Sequence, residues 1–247
     1  MLGLGNSLTT GSAHEQNYSL LLDGTGDYLQ SPSSIEGSNF PQVTGTLSLW
    51  VKGDFTAQGS SDNVFDKYGV DLNNFFIRGD DAGGSPQLQI RAQKDTGVGT
   101  AVYVAGASIT VLNNQWNHVV VTCDTSAEEF KIYLNGDTTP ASSTTISDGS
   151  WTPDGQNCRI GQHWLGSIDD VAIWSAILDA DAVAAVYNSG KPFDLNYDRG
   201  LYDNASDLEA YWRMNDGSGT TVVDSSTNSH NGTLAAQATF GTDTPDD

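Results

Sequence analysis

Two adjacent carboxylates, Asp169 and Asp170, lie inside the apolar stretch Gly166-Ser-Ile-Asp-Asp-Val-Ala-Ile-Trp-Ser-Ala-Ile-Leu-Asp179. Ile168, Asp170, Ala172 and Trp174 alternate with Asp169, Val171 and Ile173, the period of a β-strand. A buried charge needs a partner. The choices are a backbone N–H, an arginine or a cation. A second acidic pair, Asp23 and Asp27, flanks Gly24-Thr-Gly26. Its ordinary role is to hold a tight turn by side chain-to-backbone bonds. Both pairs are the chain's best oxygen sources for Ca²⁺, which takes roughly 6–8 oxygen ligands.

Other chemistries lack their parts. Glycoside hydrolysis needs two carboxylates facing each other across a cleft. Asp169 and Asp170 are strand neighbours and are expected on opposite faces, so they cannot form that pair. His14, His118, His163 and His230 are scattered without zinc spacing. No glycine loop with lysine suits phosphate, and no serine or cysteine has a recognisable base. The expectation is a protein that is not an enzyme. Sugar binding needs exposed aromatic platforms with polar neighbours. Trp151, His163 and Trp164 stand near loops and are the ligand-binding candidates. Trp50, Trp116 and Trp174 alternate within strands and are expected in the core.

The 247 residues carry 31 acidic and 10 basic side chains, a formal net charge of -21. Such a surface repels phosphate backbones and anionic membranes, which argues against nucleic acid partners. No apolar run approaches the roughly 20 residues of a membrane-spanning helix, and the N-terminus shows no secretory signal. Cys123 and Cys158 read as buried thiols. This pattern suits a chain made and kept in a cytoplasm, or assembled there.

The elements that must position these residues are short strands. Residues 1–17 form a Gly/Ser/Thr/Asn-rich arm holding Leu2, Leu4 and Leu8. Strands are expected at 19–23, 27–31, 46–52, 64–68, 74–78, 87–92, 101–104, 108–112, 116–124, 130–136, 158–161 and 166–174. A Ser/Thr-rich loop spans 138–150. One short helix is expected near 180–189, with Asp179 as N-cap and Gly190 just past its end. A connector follows at 191–207, then a closing hairpin at 208–235 and an acidic tail at 241–247. Many short strands with one late helix predict an all-β, two-sheet antiparallel sandwich over 18–240. Leu22, Leu49, Trp50, Val119, Val121, Ile132, Leu134, Val171 and Ile173 should supply its buried side chains.

Four pieces resemble the laminin-G-like, concanavalin A-like jelly-roll superfamily. They are Leu22-Asp-Gly-Thr-Gly-Asp-Tyr-Leu29, Leu47-Ser-Leu-Trp-Val51, Trp116-Asn-His-Val-Val-Val-Thr122 with Tyr133-Leu-Asn-Gly136, and Gly166 to Trp174 running into Leu178. The runs Glu209–Gly219 and Val223–Asn228, with Asn231-Gly-Thr-Leu234, resemble a motif that normally opens such domains and here lies at the end. The resemblance implies a jelly roll. It also implies a structural calcium linking an early turn to a late strand, at Asp23 and Asp169 first, then Asp27 and Asp170. The relocated motif and terminal arm are similar to jelly-roll proteins on virions of tailed phages. The expected function is accordingly a virion structural or decoration protein. Its arm would meet other virion proteins or a second copy, and its surface could contact host glycans. The alternative is a calcium-dependent carbohydrate-binding lectin whose arm folds back on its own sheet.

Overall fold

The computed structural model describes residues 15–35, 44–58, 62–67, 74–80, 85–95, 101–147 and 157–245. Its strands are β1 (Ser19–Asp23), β2 (Tyr28–Gln30), β3 (Gly45–Gly53), β4 (Asn63–Lys67), β5 (Asn74–Asp80), β6 (Gln87–Asp95), β7 (Ala101–Thr110) and β8 (Asn117–Asp124). They continue as β9 (Glu129–Leu134), β10 (Ser142–Thr145), β11 (Cys158–Ile160), β12 (Leu165–Trp174), β13 (Leu208–Trp212), β14 (Thr221–Val222), β15 (Gly232–Ala235) and β16 (Thr239–Gly241). The helix α1 is Ala180–Tyr187. Sheet A runs β10-β9-β8-β3-β12-β1-β16, with β13 also beside β12; sheet B runs β14-β15-β2-β11-β4-β5-β6-β7. All pairings between these strands are antiparallel. This is the expected all-β sandwich.

Apolar residues on the facing sides of both sheets form the main core, and the Phe75 and Phe130 rings stack there with centroids 5.3 Å apart. Sheet A is apolar on its outer side too. Val120, Ala172, Trp174 and Tyr211 pack there against Leu178, Val183 and Val186 of the helical segment and Phe193, Leu195 and Tyr202 of the connector. That explains the unbroken run Val119-Val-Val121. Val119 and Val121 face the main core while Val120 faces the helix. Of the expected core residues, only Leu134 is part-exposed.

Strand β12 departs from simple alternation. Its register against β3 shifts between Asp169 and Ala172, and Asp170 has a left-handed φ of 42°. The bulge turns the strand by one step. Ile168 therefore shares the main core with Val171 and Ile173, whereas Ala172 and Trp174 face outward. The bulge also divides the partners on one side of β12. Residues before it pair with β1, and residues after it pair with β13.

Other expectations change. The "closing hairpin" is split, β13 joining sheet A and β14–β15 joining sheet B beside β2. Residues 142–145, read as loop, form β10, because hydroxyl side chains suit an exposed edge as well as a turn. Residues 101–110 form one strand where two were expected. The acidic tail begins inside β16, and Asp243 binds Lys52 and the Trp116 indole N–H, so Trp116 is at the surface and not in the core. Helix α1 keeps its Asp179 cap, whose carboxylate accepts from the Ala182 N–H at 2.8 Å. Its left-handed exit starts at Asn188 (φ 46°), two residues before Gly190.

Trp164 is fully buried in the main core. Its ring lies 5.1 Å from that of Phe55, and its indole N–H donates to the Lys52 carbonyl at 3.3 Å. Trp164→Ala should therefore cost about 3–5 kcal/mol of unfolding free energy in a urea titration, the range for truncating a buried large aromatic. Asp179→Ala should cost about 1 kcal/mol by the same measurement, through the lost cap.

Candidate functional site

The two acidic pairs do not meet. Asp23 is opposite Leu165 and Leu20 is opposite Ile168, so Asp23 and Asp169 sit about 13 Å apart along the strands at roughly 3.3 Å per residue. Among the described residues no three His, Cys, Asp or Glu side chains gather as a metal cluster. In the early turn, Asp23 accepts from the Thr25 amide at 2.8 Å and from its hydroxyl at 2.5 Å. The Thr25 hydroxyl is the main cause holding the Asp23 carboxyl below its ordinary range. Asp27 accepts from the Asp23 amide at 2.7 Å, and burial raises its own pKa. The pair performs the turn-holding role.

Asp169 sits at the junction between β1 and β13. Its Oδ1 accepts from Gln16 Nε2 at 2.7 Å and from the Asp170 amide at 2.9 Å. Gln16 Nε2 also lies 3.0 Å from the Arg213 carbonyl and 3.4 Å from that of Tyr18. Asp169 Oδ2 and Gln16 Oε1 are buried acceptors with no donor. Burial first, and Asp170 second, push the Asp169 carboxyl well above its ordinary pKa; Arg213 acts in the opposite sense. Asp170 accepts from the Tyr211 hydroxyl at 2.5 Å. The bulge cancels the alternation on which the opposite-faces expectation rested, and the Asp170 carboxylate is close enough to act on Asp169. Among the described residues, two buried oxygens without a donor, near the carbonyls of Arg213 and Tyr18, are acceptors of the kind a cation takes, and the Asp23–Asp27 turn does not reach them.

The aromatic candidates separate as well. Trp164 is interior, so it offers no platform. His163, in a left-handed conformation (φ 61°), sets its ring against Gly26 of the early turn, where an added Cβ would lie 3.5 Å from the ring. Trp151 lies outside the described residues. Proximity to loops did not mean exposure, because Gly53 and Gly79 leave space that the Trp164 ring fills; an added Cβ would lie 2.7 Å and 3.0 Å from it.

A different set converges on the outer side of sheet B. The registers align Gln30, Arg159, Asp66, Phe76 and Arg91 in one row across β2, β11, β4, β5 and β6. Their neighbours Leu29, Ile160, Phe65, Ile77 and Ile90 all lie in the main core, so strand alternation turns the row outward. Asp66 is at its centre and only 1% exposed. Its Oδ2 is 3.4 Å from Asn63 Nδ2, and its Oδ1 has no partner. Burial lifts its pKa to about 7 against the lowering pull of Arg159. On either side a guanidinium covers a ring. Arg159 lies 5.0 Å from the Tyr28 centroid and donates to Gln162 Oε1 at 3.1 Å. Arg78 lies 5.4 Å from Phe76 and donates twice to Gln89 Oε1, at 3.0 and 2.8 Å. Rings, amides, a guanidinium and an acceptor lacking a donor together suit a polyhydroxylated ligand. The sequence signal was Asp66 inside Val64-Phe-Asp-Lys67, a charge interrupting a short apolar strand.

The comparisons agree with this architecture. The structure is similar to a Bacteroides ovatus protein assigned to carbohydrate binding, at 17% identity and a TM-score of 0.61, covering 92% of this chain and 60% of that one. It is also similar to a heptameric SAP-like pentraxin of Limulus polyphemus, at 16% identity and a TM-score of 0.54, covering 92% and 95%. No curated protein matches the chain. The family model of the concanavalin A-like lectin/glucanases superfamily matches residues 23–184, and the chain belongs to that family.

Proposed function

We propose that this protein is a non-catalytic carbohydrate-binding domain that engages glycan hydroxyls on the outer face of sheet B. The observation that carries the reading is Asp66 Oδ1, a buried acceptor without a donor at the centre of that face. Leaving such a group unmade costs about 1–3 kcal/mol, and a sugar hydroxyl would supply the missing donor. Arg159 and Gln30 would meet neighbouring oxygens, and Tyr28 and Phe76 would meet apolar sugar edges. Family membership and the likeness to a protein assigned to carbohydrate binding support the same reading. Asp66 is the one carboxylate in the row, whereas glycoside hydrolysis uses two. The particle-assembly reading gains no support. Residues 1–14 of the arm lie outside the described residues, and the Glu15 carbonyl accepts from Arg213 and Asn215 of the same chain.

A glycan array followed by calorimetry tests the proposal. Arg159→Ala should weaken binding about tenfold or more, the scale of a hydrogen bond to a charged group. A hydroxyl donates best to ionised Asp66, so affinity should rise as pH climbs through about 7, and Asp66→Asn should flatten that profile. Absence of binding across the array, or affinity indifferent to Arg159, would refute the reading.

We also propose a structural Ca²⁺ at the β1–β13 junction. Asp169 would hold it, with the Gln16 amide turned over and the carbonyls of Tyr18 and Arg213 assisting. The cation would add to the pull of Arg213 and give these buried oxygens a partner where they have no hydrogen-bond donor. The EDTA-treated protein should melt at a higher temperature once Ca²⁺ is restored, gaining about 2.7 kcal/mol at a hundred times Kd. Asp169→Asn should abolish the gain; an unchanged melt of the unmodified protein would exclude the ion.

A further inference from the structure

The connector between α1 and β13 leaves a cleft on the side of the sandwich where it covers sheet A. Asn196, Tyr197, Ala205, Leu208, Ser225 and Thr227 line a cavity of about 360 Å³. Tyr197 is 66% exposed, yet Phe193, Leu195 and Tyr202 around it are buried. The Tyr202 hydroxyl donates to the Leu195 carbonyl at 2.7 Å and accepts from the Trp174 indole at 3.1 Å. The Tyr211 hydroxyl reaches the Phe193 carbonyl at 3.2 Å. Asp194 fixes Asn196 by accepting from its amide N–H and its side-chain NH₂, at 3.1 and 2.9 Å. The support beneath Tyr197 is therefore held from several directions while its ring faces water.

An anchored, exposed tyrosine offers a flat apolar face at little ordering cost. The Asn196 amide and the Ser225 and Thr227 hydroxyls supply donors and acceptors at the rim. Asp194, Asp198, Asp203 and Asp207 crowd the same connector, and Arg199 lies against the Phe193 ring at 5.2 Å. That field disfavours anions. The volume falls at the small end of ligand cavities, roughly 300–1,000 Å³, which suits one or two sugar rings.

We infer that this cleft is a second saccharide site, taking a neutral sugar whose C–H face lies on Tyr197 and whose hydroxyls meet Asn196, Ser225 and Thr227. The inference rests on reading the protein as a glycan binder but uses different residues on the opposite side of the sandwich. The domain then binds two saccharides at once.

The test starts from an array of neutral gluco-, galacto- and manno-oligosaccharides with uronic and sialylated glycans beside them. The best neutral binder is then titrated by calorimetry. Two sites per chain are expected. Tyr197→Ala should leave one, with about tenfold or greater loss at the other; Tyr197→Phe should keep both, and melting curves should match the unmodified protein. A single site that Arg159→Ala abolishes and Tyr197→Ala leaves untouched overturns the second site and spares the sheet B reading. A single site with the opposite sensitivities keeps the cleft and refutes the sheet B face. A cleft that prefers acidic glycans overturns the neutral class, and no binding anywhere overturns both readings.

Discussion

The bulge at Asp169–Asp170 is the constraint on which the architecture depends. Before it, β12 pairs with β1; after it, β12 pairs with β13. The ladder is interrupted between these partners, and side chains take over. Asp169 binds Gln16, just ahead of β1, and Gln16 binds the Arg213 carbonyl, just beyond β13. Asp170 binds Tyr211 within β13. Residues nearly 200 positions apart in sequence are thus joined at one irregular point of one strand. Strand β13 closes this side of β12 by docking just beyond the point where β1 begins.

The bulge also gives sheet A its second apolar side. Ala172 and Trp174 are turned outward, and α1 and the connector cover them. Among the described residues, no helix or connector packs an apolar cluster of this kind on the central row of sheet B. There Arg159, Asp66 and Phe76 stand where sheet A has Ala172 and Trp174. The two layers therefore divide their roles. Sheet A is built to be covered, and the outer face of sheet B carries polar and aromatic groups around a buried acceptor.

Much of this was legible in the sequence. The Gly/Asp turn at 23–27, the Val119–Val121 run and the capped helix after Asp179 each carry a local pattern with one physical reading. The parity of β12 was not legible, because a left-handed φ at Asp170 leaves no mark on apolar alternation. Ser142–Thr145 hid for a related reason, since hydroxyl side chains serve edge strands and turns alike. The site was the harder part. Asp169 stood out by type, but its partners Gln16 and Arg213 come from distant segments that only the fold brings together. Trp164 looked like a loop aromatic, and its burial depends on two glycines more than 80 residues upstream. Tyr197 lay in a stretch without periodicity, so its exposure on an anchored connector could not be read.

The central claim is that Asp66 is an acceptor kept for a ligand. Carboxyl-carbon NMR of Asp66, assigned through the Asp66→Asn variant, tests it most directly. In the free protein the carboxyl should titrate near 7, where burial holds it. With a saturating oligosaccharide the midpoint should move down, because a hydroxyl donating to Oδ1 favours the charged form. A midpoint that stays the same at saturation would contradict the account.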